Sequence, residues 1–201
     1  MNISTIFKDI QSGKPIIVID SKDREWEGDL VIAAEQATEK NLAFIIRNAR
    51  GLMCLPTCGK ILDRLDIPMM VKESTCKLQT PFTVTIDAAE GIHTGMSVQD
   101  RLKTISVVLD DKSFPTQLAR PGHLMPLRPQ ERLLLQRQGH TEASIELMKL
   151  AGMKPVSIIV EIINNNGTMA KGFQLERFAQ KYSLNIISVE ELFEEVYGYR
   201  L

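Results

Sequence analysis

The sequence predicts an α+β fold, a single domain over residues 1–201 with a mixed β-sheet layered with helices. Three observations carry that expectation. Short β-branched apolar runs such as PIIVID (15–20) and SIIVEII (157–163) have the length and composition of buried strands. The segments between them carry helical spacing of apolar residues, with capping residues at their starts. The two kinds of segment do not follow strict βαβ alternation, and neither GxGxxG nor a P-loop glycine pattern occurs, which argues against a doubly wound nucleotide-binding fold.

In chain order, Ile3, Ile6, Phe7 and Ile10 fall on one face of a helix that stops at Gly13 and Pro15. PIIVID (15–20) and DLVIAAE (29–35) read as buried strands flanking an acidic loop. Thr38 caps a helix over 39–49 with its stop at Gly51. LMCLPT (52–57) is a strand, a short helix follows near 58–65, and 66–80 is a long loop of the kind that carries function. FTVTIDA (82–88) resumes strand alternation, and Ser97 with Asp100 forms a capping box for a helix to about Leu109. RPGHLMPLR (120–128) combines loop and strand, and Thr141 and Glu142 start an amphipathic helix that runs to Gly152. SIIVEII ends at the turn NNNG; a helix over 173–182, a strand NIISV (185–189) and a helix from 189 complete the chain.

Bulk properties exclude several classes of partner. The charges nearly cancel, 24 basic against 25 acidic with a net of −1, and no basic block offers a face for nucleic acid. No apolar run approaches the ~20 residues of a membrane helix, and the N-terminal segment has no signal-peptide apolar block. Cys54, Cys58 and Cys76 are odd in number, without CxxC, and read as reduced thiols, hence a cytoplasmic location.

Chemistry concentrates in a few stretches. DREWEGDL (23–30) places carboxylates at 25, 27 and 29, which an extended chain projects to one side. Oxygen-rich placement of this kind suits Mg²⁺; the alternative is an ordinary charged turn self-paired through Arg24. RQGHTEASIEL (137–147) sets Gly139, His140 and Thr141 at a helix start, where free N–H groups and Arg137 make an anion site and His140 is placed to ligate a metal beside it. A plain N-cap beside an exposed histidine fits the same residues. Glu161 interrupts an apolar strand, so it either faces solvent or meets a partner such as His123 in a general acid/base pair. Cys54 reads as core filler.

DREWEGDLVIAAE, LDIPMM, FTVTIDAAEG, a TG before a capped helix, RPGH, GHTEASIELMKLAG and EIINNNGTMA occur in the order found in 3,4-dihydroxy-2-butanone 4-phosphate synthases, and the chain resembles that family from about residue 5 to 199. The resemblance implies an α+β homodimer with active sites near the subunit interface. It implies Mg²⁺- (or Mn²⁺-) dependent conversion of ribulose 5-phosphate, a phosphorylated ketose, to the four-carbon riboflavin precursor and formate. It makes Glu25 and His140 the metal ligands and puts Arg24 and Asp29 on the substrate, with Glu27 as an additional acid/base or orienting group. It gives the phosphate to Arg137, Gly139 and Thr141, with Gln138 in the same loop and Thr94 as a lesser contributor. His123 and Glu161 become the acid/base pair, with Glu161 also touching substrate.

The chain also departs from the family pattern. Trp26 stands where the loop usually carries asparagine, Gln138 replaces a glycine before His140, and the turn NNNG lacks its usual acidic residues. PQERLLLQ (129–136), KESTCKLQT (72–80) and Asn48 differ as well. Two alternatives therefore stand beside the synthase: a paralogue acting on another sugar phosphate, and a catalytically silent binding or regulatory partner.

Overall fold

The computed structural model describes residues 3–198. Its centre is a seven-stranded mixed sheet in the order β4-β5-β3-β6-β2-β1-β7. The strands are β1 (Ile16–Ile19), β2 (Gly28–Ala33), β3 (Cys54–Pro56), β4 (Ile86–Ala88), β5 (Leu118–Leu127), β6 (Ser157–Glu161) and β7 (Ile186–Ser188). β1 and β2 form an antiparallel hairpin, β6 runs antiparallel to both β2 and β3, and the pairs β1–β7 and β3–β5 are parallel. The mixed α+β expectation holds.

Alternation along the strands splits the core into two layers. Ile17, Leu30, Ile32, Leu55, Ile158 and Val160 face one side, under α2 (Glu39–Asn48), α4 (Val98–Leu109) and α6 (Phe173–Tyr182). Ile16, Val18, Val31, Cys54 and Ile159 face the other, under α1 (Ile3–Gln11), α5 (His140–Leu150) and α7 (Val189–Tyr197). The small helix α3 (Gly59–Arg64) follows β3. Each fully buried Ile or Leu contributes about 1.5–3 kcal/mol to holding these layers together.

The caps work as the residue types dictate, with two differences. Thr38 and Asn41 form a reciprocal capping box for α2, yet the left-handed residue after that helix is Arg50 (φ 73°), not Gly51. Ser97 Oγ accepts from Asp100 N (3.0 Å), but the Asp100 carboxylate turns away and accepts from the N–H groups of His93, Thr94 and Gly95. β5 is a continuous ten-residue strand in spite of its prolines. The strand predicted over 82–88 is regular only at 86–88. α5 is not amphipathic: every residue from His140 to Met148 is buried, because it lies against the sheet and is flanked by α1 and α7. Among the described residues no helix is long and apolar enough to cross a membrane.

Candidate active site

The β1–β2 hairpin is pinched at the neck of its loop. Asp20 N donates to the Glu27 carbonyl (3.2 Å), and Glu27 N donates to Asp20 Oδ1 (2.9 Å). Asp20 Oδ2 also accepts from Arg24 Nη1 (2.5 Å), and the same nitrogen pairs with Glu25 Oε2. The loop is thus self-paired through Arg24, as the bland reading of a charged turn expects. Its carboxylates also face the start of α5: one ligand atom each from Asp20, Glu25 and His140 lies within 4.8 Å of the others.

These groups suit a divalent cation. The His140 ring is buried, and its Nε2 has no hydrogen-bond partner. Burial, seconded by the Arg24 charge, pushes its pKa down and keeps the imidazole neutral; the charges of Asp20 and Glu25 and a hydrogen bond at the Glu27 backbone pull the other way. A neutral ring whose second nitrogen is held by a backbone group presents a free lone pair, as a metal ligand must. Two carboxylates beside it supply hard oxygen donors.

The cavity here, about 110 Å³, is lined by Arg24, Glu25, Glu27, Asp29, Cys54, Thr80, Phe82, Leu127, Arg137, His140, Thr141, Ile159 and Glu161. Asp29 and Glu161 are register partners on β2 and β6, on the sheet face that α5 covers. Burial raises the Asp29 carboxyl well above its ordinary range, and the charges of Glu161, Glu25, Asp20 and Glu27 add to the rise. Burial likewise raises Glu161, helped by Glu27 and opposed by hydrogen bonds from its own and the Leu52 backbone and by His140. One oxygen of each, Asp29 Oδ1 and Glu161 Oε2, is buried without a partner. Burial also pushes the Cys54 thiol up, with Glu161 and Asp29 adding to it, so Cys54 is a neutral thiol in the cavity wall.

At the other wall, Arg137 Nη1 donates to Glu142 Oε2 (2.6 Å) and Nη2 to the Leu78 carbonyl (3.2 Å), so its guanidinium is fixed beside the α5 N-terminus. Gly139 is the N-cap, and a Cβ there would fall 3.0 Å from Arg137 Cζ and 3.3 Å from Arg24 Nη2. Two guanidinium groups therefore converge on the bare backbone of a helix start.

Eight predicted residues, Arg24, Glu25, Glu27, Asp29, Arg137, His140, Thr141 and Glu161, line this cavity, and Gly139 adjoins it. Three lie outside its lining: Gln138 and Thr94 are exposed, and His123 is elsewhere on the sheet. The pairing of His123 with Glu161 does not occur within this chain. β3 separates their strands, and His123 Nδ1 instead meets Asp87 Oδ2 at 2.6 Å. The approach is allowed by Gly95, whose Cβ would come 2.6 Å from that nitrogen.

Sequence reasoning missed Asp20, Cys54, Thr80, Phe82 and Lys171. Asp20 carried a faint signal, an aspartate ending an apolar strand four residues before an arginine. Cys54 enters only through the register that sets it opposite Ile159. Thr80 and Phe82 come from an irregular segment. Lys171, whose Nζ donates to the Glu25 carbonyl (2.6 Å) and lies 3.4 Å from Glu27 Oε1, had no local signal.

Comparison with known proteins identifies the family and the fold. A family model described as 3,4-dihydroxy-2-butanone 4-phosphate synthase matches residues 4–195. A synthase of that name from Hamiltonella defensa is 40% identical over 192 residues, covering 96% of this chain and 88% of that protein. One from Neisseria meningitidis serogroup B is 43% identical, covering 96% of this chain and 53% of that protein. A riboflavin biosynthesis protein of Arabidopsis thaliana is 44% identical, with 95% of this chain matched to 40% of its length. The chain thus spans about half or less of the length of the last two. A crystal structure of a 3,4-dihydroxy-2-butanone 4-phosphate synthase in complex with two magnesium ions superposes with a TM-score of 0.93 at 32% identity, over 98% of this chain and 96% of the other. By sequence and by fold, the chain belongs to the 3,4-dihydroxy-2-butanone 4-phosphate synthase family.

Proposed function

We propose that this protein is a lyase of riboflavin biosynthesis that converts D-ribulose 5-phosphate to L-3,4-dihydroxy-2-butanone 4-phosphate and formate. The observation that carries the reading is the convergence of one neutral imidazole, four carboxylates and two guanidinium groups on a single cavity. Glu25 and His140 hold the cation, Mg²⁺ or Mn²⁺, since one imidazole with carboxylates accepts either. When bound there, the cation supplies electrophilic polarisation of adjacent ketose oxygens. Asp20 orients the loop through Arg24 and the Glu27 amide.

The α5 N-terminus and Arg137 take the phosphate, with Gly139 giving its backbone close access and Thr141 adding a hydroxyl. Arg24 and Asp29 contact the sugar. Asp29 and Glu161 do the proton work: burial raises both carboxyls, so each can take a proton from carbon during enolisation and return one to the hydroxyl that leaves as water. Glu27, held by Lys171, orients or relays. Phe82 and Leu127 shield the cavity from water.

The protein acts as a homodimer with its sites near the interface. That arrangement gives His123 its role. Its side chain is 46% exposed and is held by Asp87 at the surface of β5, where a second copy's cavity can receive it. Thr94, on the segment tied down by Asp100, shares that surface. Three free cysteines fit a cytoplasmic location.

The test is formate release from ribulose 5-phosphate by the purified protein with Mg²⁺. Formate should appear and should vanish with chelator and in Glu161→Gln. A folded, cation-binding protein that releases none overturns the assignment and turns the search to other ketose phosphates.

A further inference from the structure

The loop that carries Glu25 and Glu27 contains the one tryptophan of the chain, Trp26, in an unfavourable conformation. Its φ of 53° lies in the left-handed region, which small polar residues tolerate and bulky ones rarely adopt. A compensating contact is visible. The ring packs on Gly172, where a Cβ would come 2.8 Å from Trp26 Cζ2 and 3.1 Å from Cη2, so only a glycine admits the ring. Lys22 Nζ covers the ring at 5.2 Å from its centroid. The residue before Gly172 closes the same junction: Lys171 Nζ donates to the Glu25 carbonyl and pairs with Glu27 Oε1. Residues 171 and 172 therefore grip the loop from outside, on the backbone of Glu25, on the ring of Trp26 and on the carboxylate of Glu27.

We propose that Trp26, seated on Gly172, is a latch that fixes the hairpin loop against the segment leading into α6 and so positions Glu25 for the divalent cation. The inference rests on the cation site proposed above. Trp26 is a positioning residue: it acts through the loop backbone, and its side chain makes no ligand bond. The latch couples the cation to an aromatic ring that reports on its own surroundings.

The experiment combines Mg²⁺ calorimetry with Mg²⁺ titration of the intrinsic emission of the full chain. Binding heat should appear, and Trp26 emission should change saturably with the same midpoint. Trp26→Ala should weaken Mg²⁺ by about ten-fold, the usual size of a lost supporting contact around a metal ligand. Trp26→Phe, which keeps a ring over Gly172, should recover most of the loss. Binding heat with silent emission, or wild-type Mg²⁺ affinity in Trp26→Ala, overturns the latch and leaves the cation site standing. No heat in the unmodified protein overturns both. If Trp26→Ala does not fold, the emission titration of the unmodified protein decides alone.

Discussion

Replacing Gly51 with alanine puts a methyl group where β6 already is. The new Cβ would fall 2.6 Å from the Glu161 carbonyl oxygen, 2.7 Å from its nitrogen and closer still to its Oε2. A carboxylate tip could swing aside, but the backbone of β6 could not. It is held by ladders to β2 and β3 and by the Gly51 N–H donated to the Glu161 carbonyl (3.1 Å). Overpacking of this kind costs about 1–3 kcal/mol, and the lost backbone hydrogen bond costs about 1 kcal/mol more. Together they predict a loss of about 2–4 kcal/mol, or roughly 5–15 °C in Tm for a domain of this size. Gly51 is outside the left-handed region, so the whole effect belongs to the close approach. Gly152→Ala is the matching control, since Gly152 has a φ of 72° and open space around it, and isolates the conformational cost alone. Urea unfolding followed by circular dichroism, paired with formate release, measures both consequences. A Gly51→Ala protein within about 0.5 kcal/mol of the parent and with its rate intact would refute the claim that this glycine seats Glu161.

Two further outcomes follow from the carboxylates. In chelator, Glu161 binds its proton more tightly folded than unfolded, so stability should fall as pH rises from its unfolded pKa through the raised folded one, by at most ~1.4 kcal/mol per pH unit per proton. Glu161→Gln removes its share of that fall, and its Tm relative to the parent should climb between pH 4.5 and 7.5; a difference independent of pH would contradict the burial argument. Asp100 behaves in the opposite sense. The His93 amide above all, with those of Gly95 and Thr94 and the Ser97 side chain, holds its carboxyl below the usual range. Its contribution is present above the unfolded pKa and lost as pH falls through the lowered one. Asp100→Ala should therefore melt early at neutral pH, with the deficit shrinking in acid, as thermal scans across pH will show.

Much of the site was legible because it is local in sequence. Glu25, Glu27 and Asp29 do meet at one cavity, though not through the extended chain their spacing suggested, since residues 22–25 form a turn and Trp26 is left-handed; a helix start at His140 presents the same N–H groups wherever it lies. Pairings made across the sheet were not legible. Nothing in RPGH tells that His123 will find Asp87 on β4, because β-strand register is set by the whole sheet. Nor does HTEASIELM announce that α5 will be covered on every side, with Ser144 bonded to Ser157 (2.8 Å), Glu142 to Arg137, and His140 Nε2 left without a partner. Asp20 escaped notice for the same reason, since a carboxylate that ends a strand becomes structural only once the loop folds back on it. The prolines of β5 pointed to a broken segment, yet the strand runs through them, with β4 on one side and β3 on the other.

The sheet order has a consequence for how the chain folds. β6 lies between β2 and β3, and among the described strands it alone stitches the N-terminal hairpin to the β3–β5–β4 half. β6 begins at Ser157, so it is made long after β2 (Gly28–Ala33) and β3 (Cys54–Pro56). Until then the inner edges of β2 and β3 offer unpaired backbone groups to any passing strand. β1 waits longer still, for its parallel neighbour β7. Late, long-range closure of this kind is slow and exposes the nascent chain to mispairing. Substitutions that weaken β6 should therefore reduce the yield of folded protein out of proportion to their effect on the stability of what does fold.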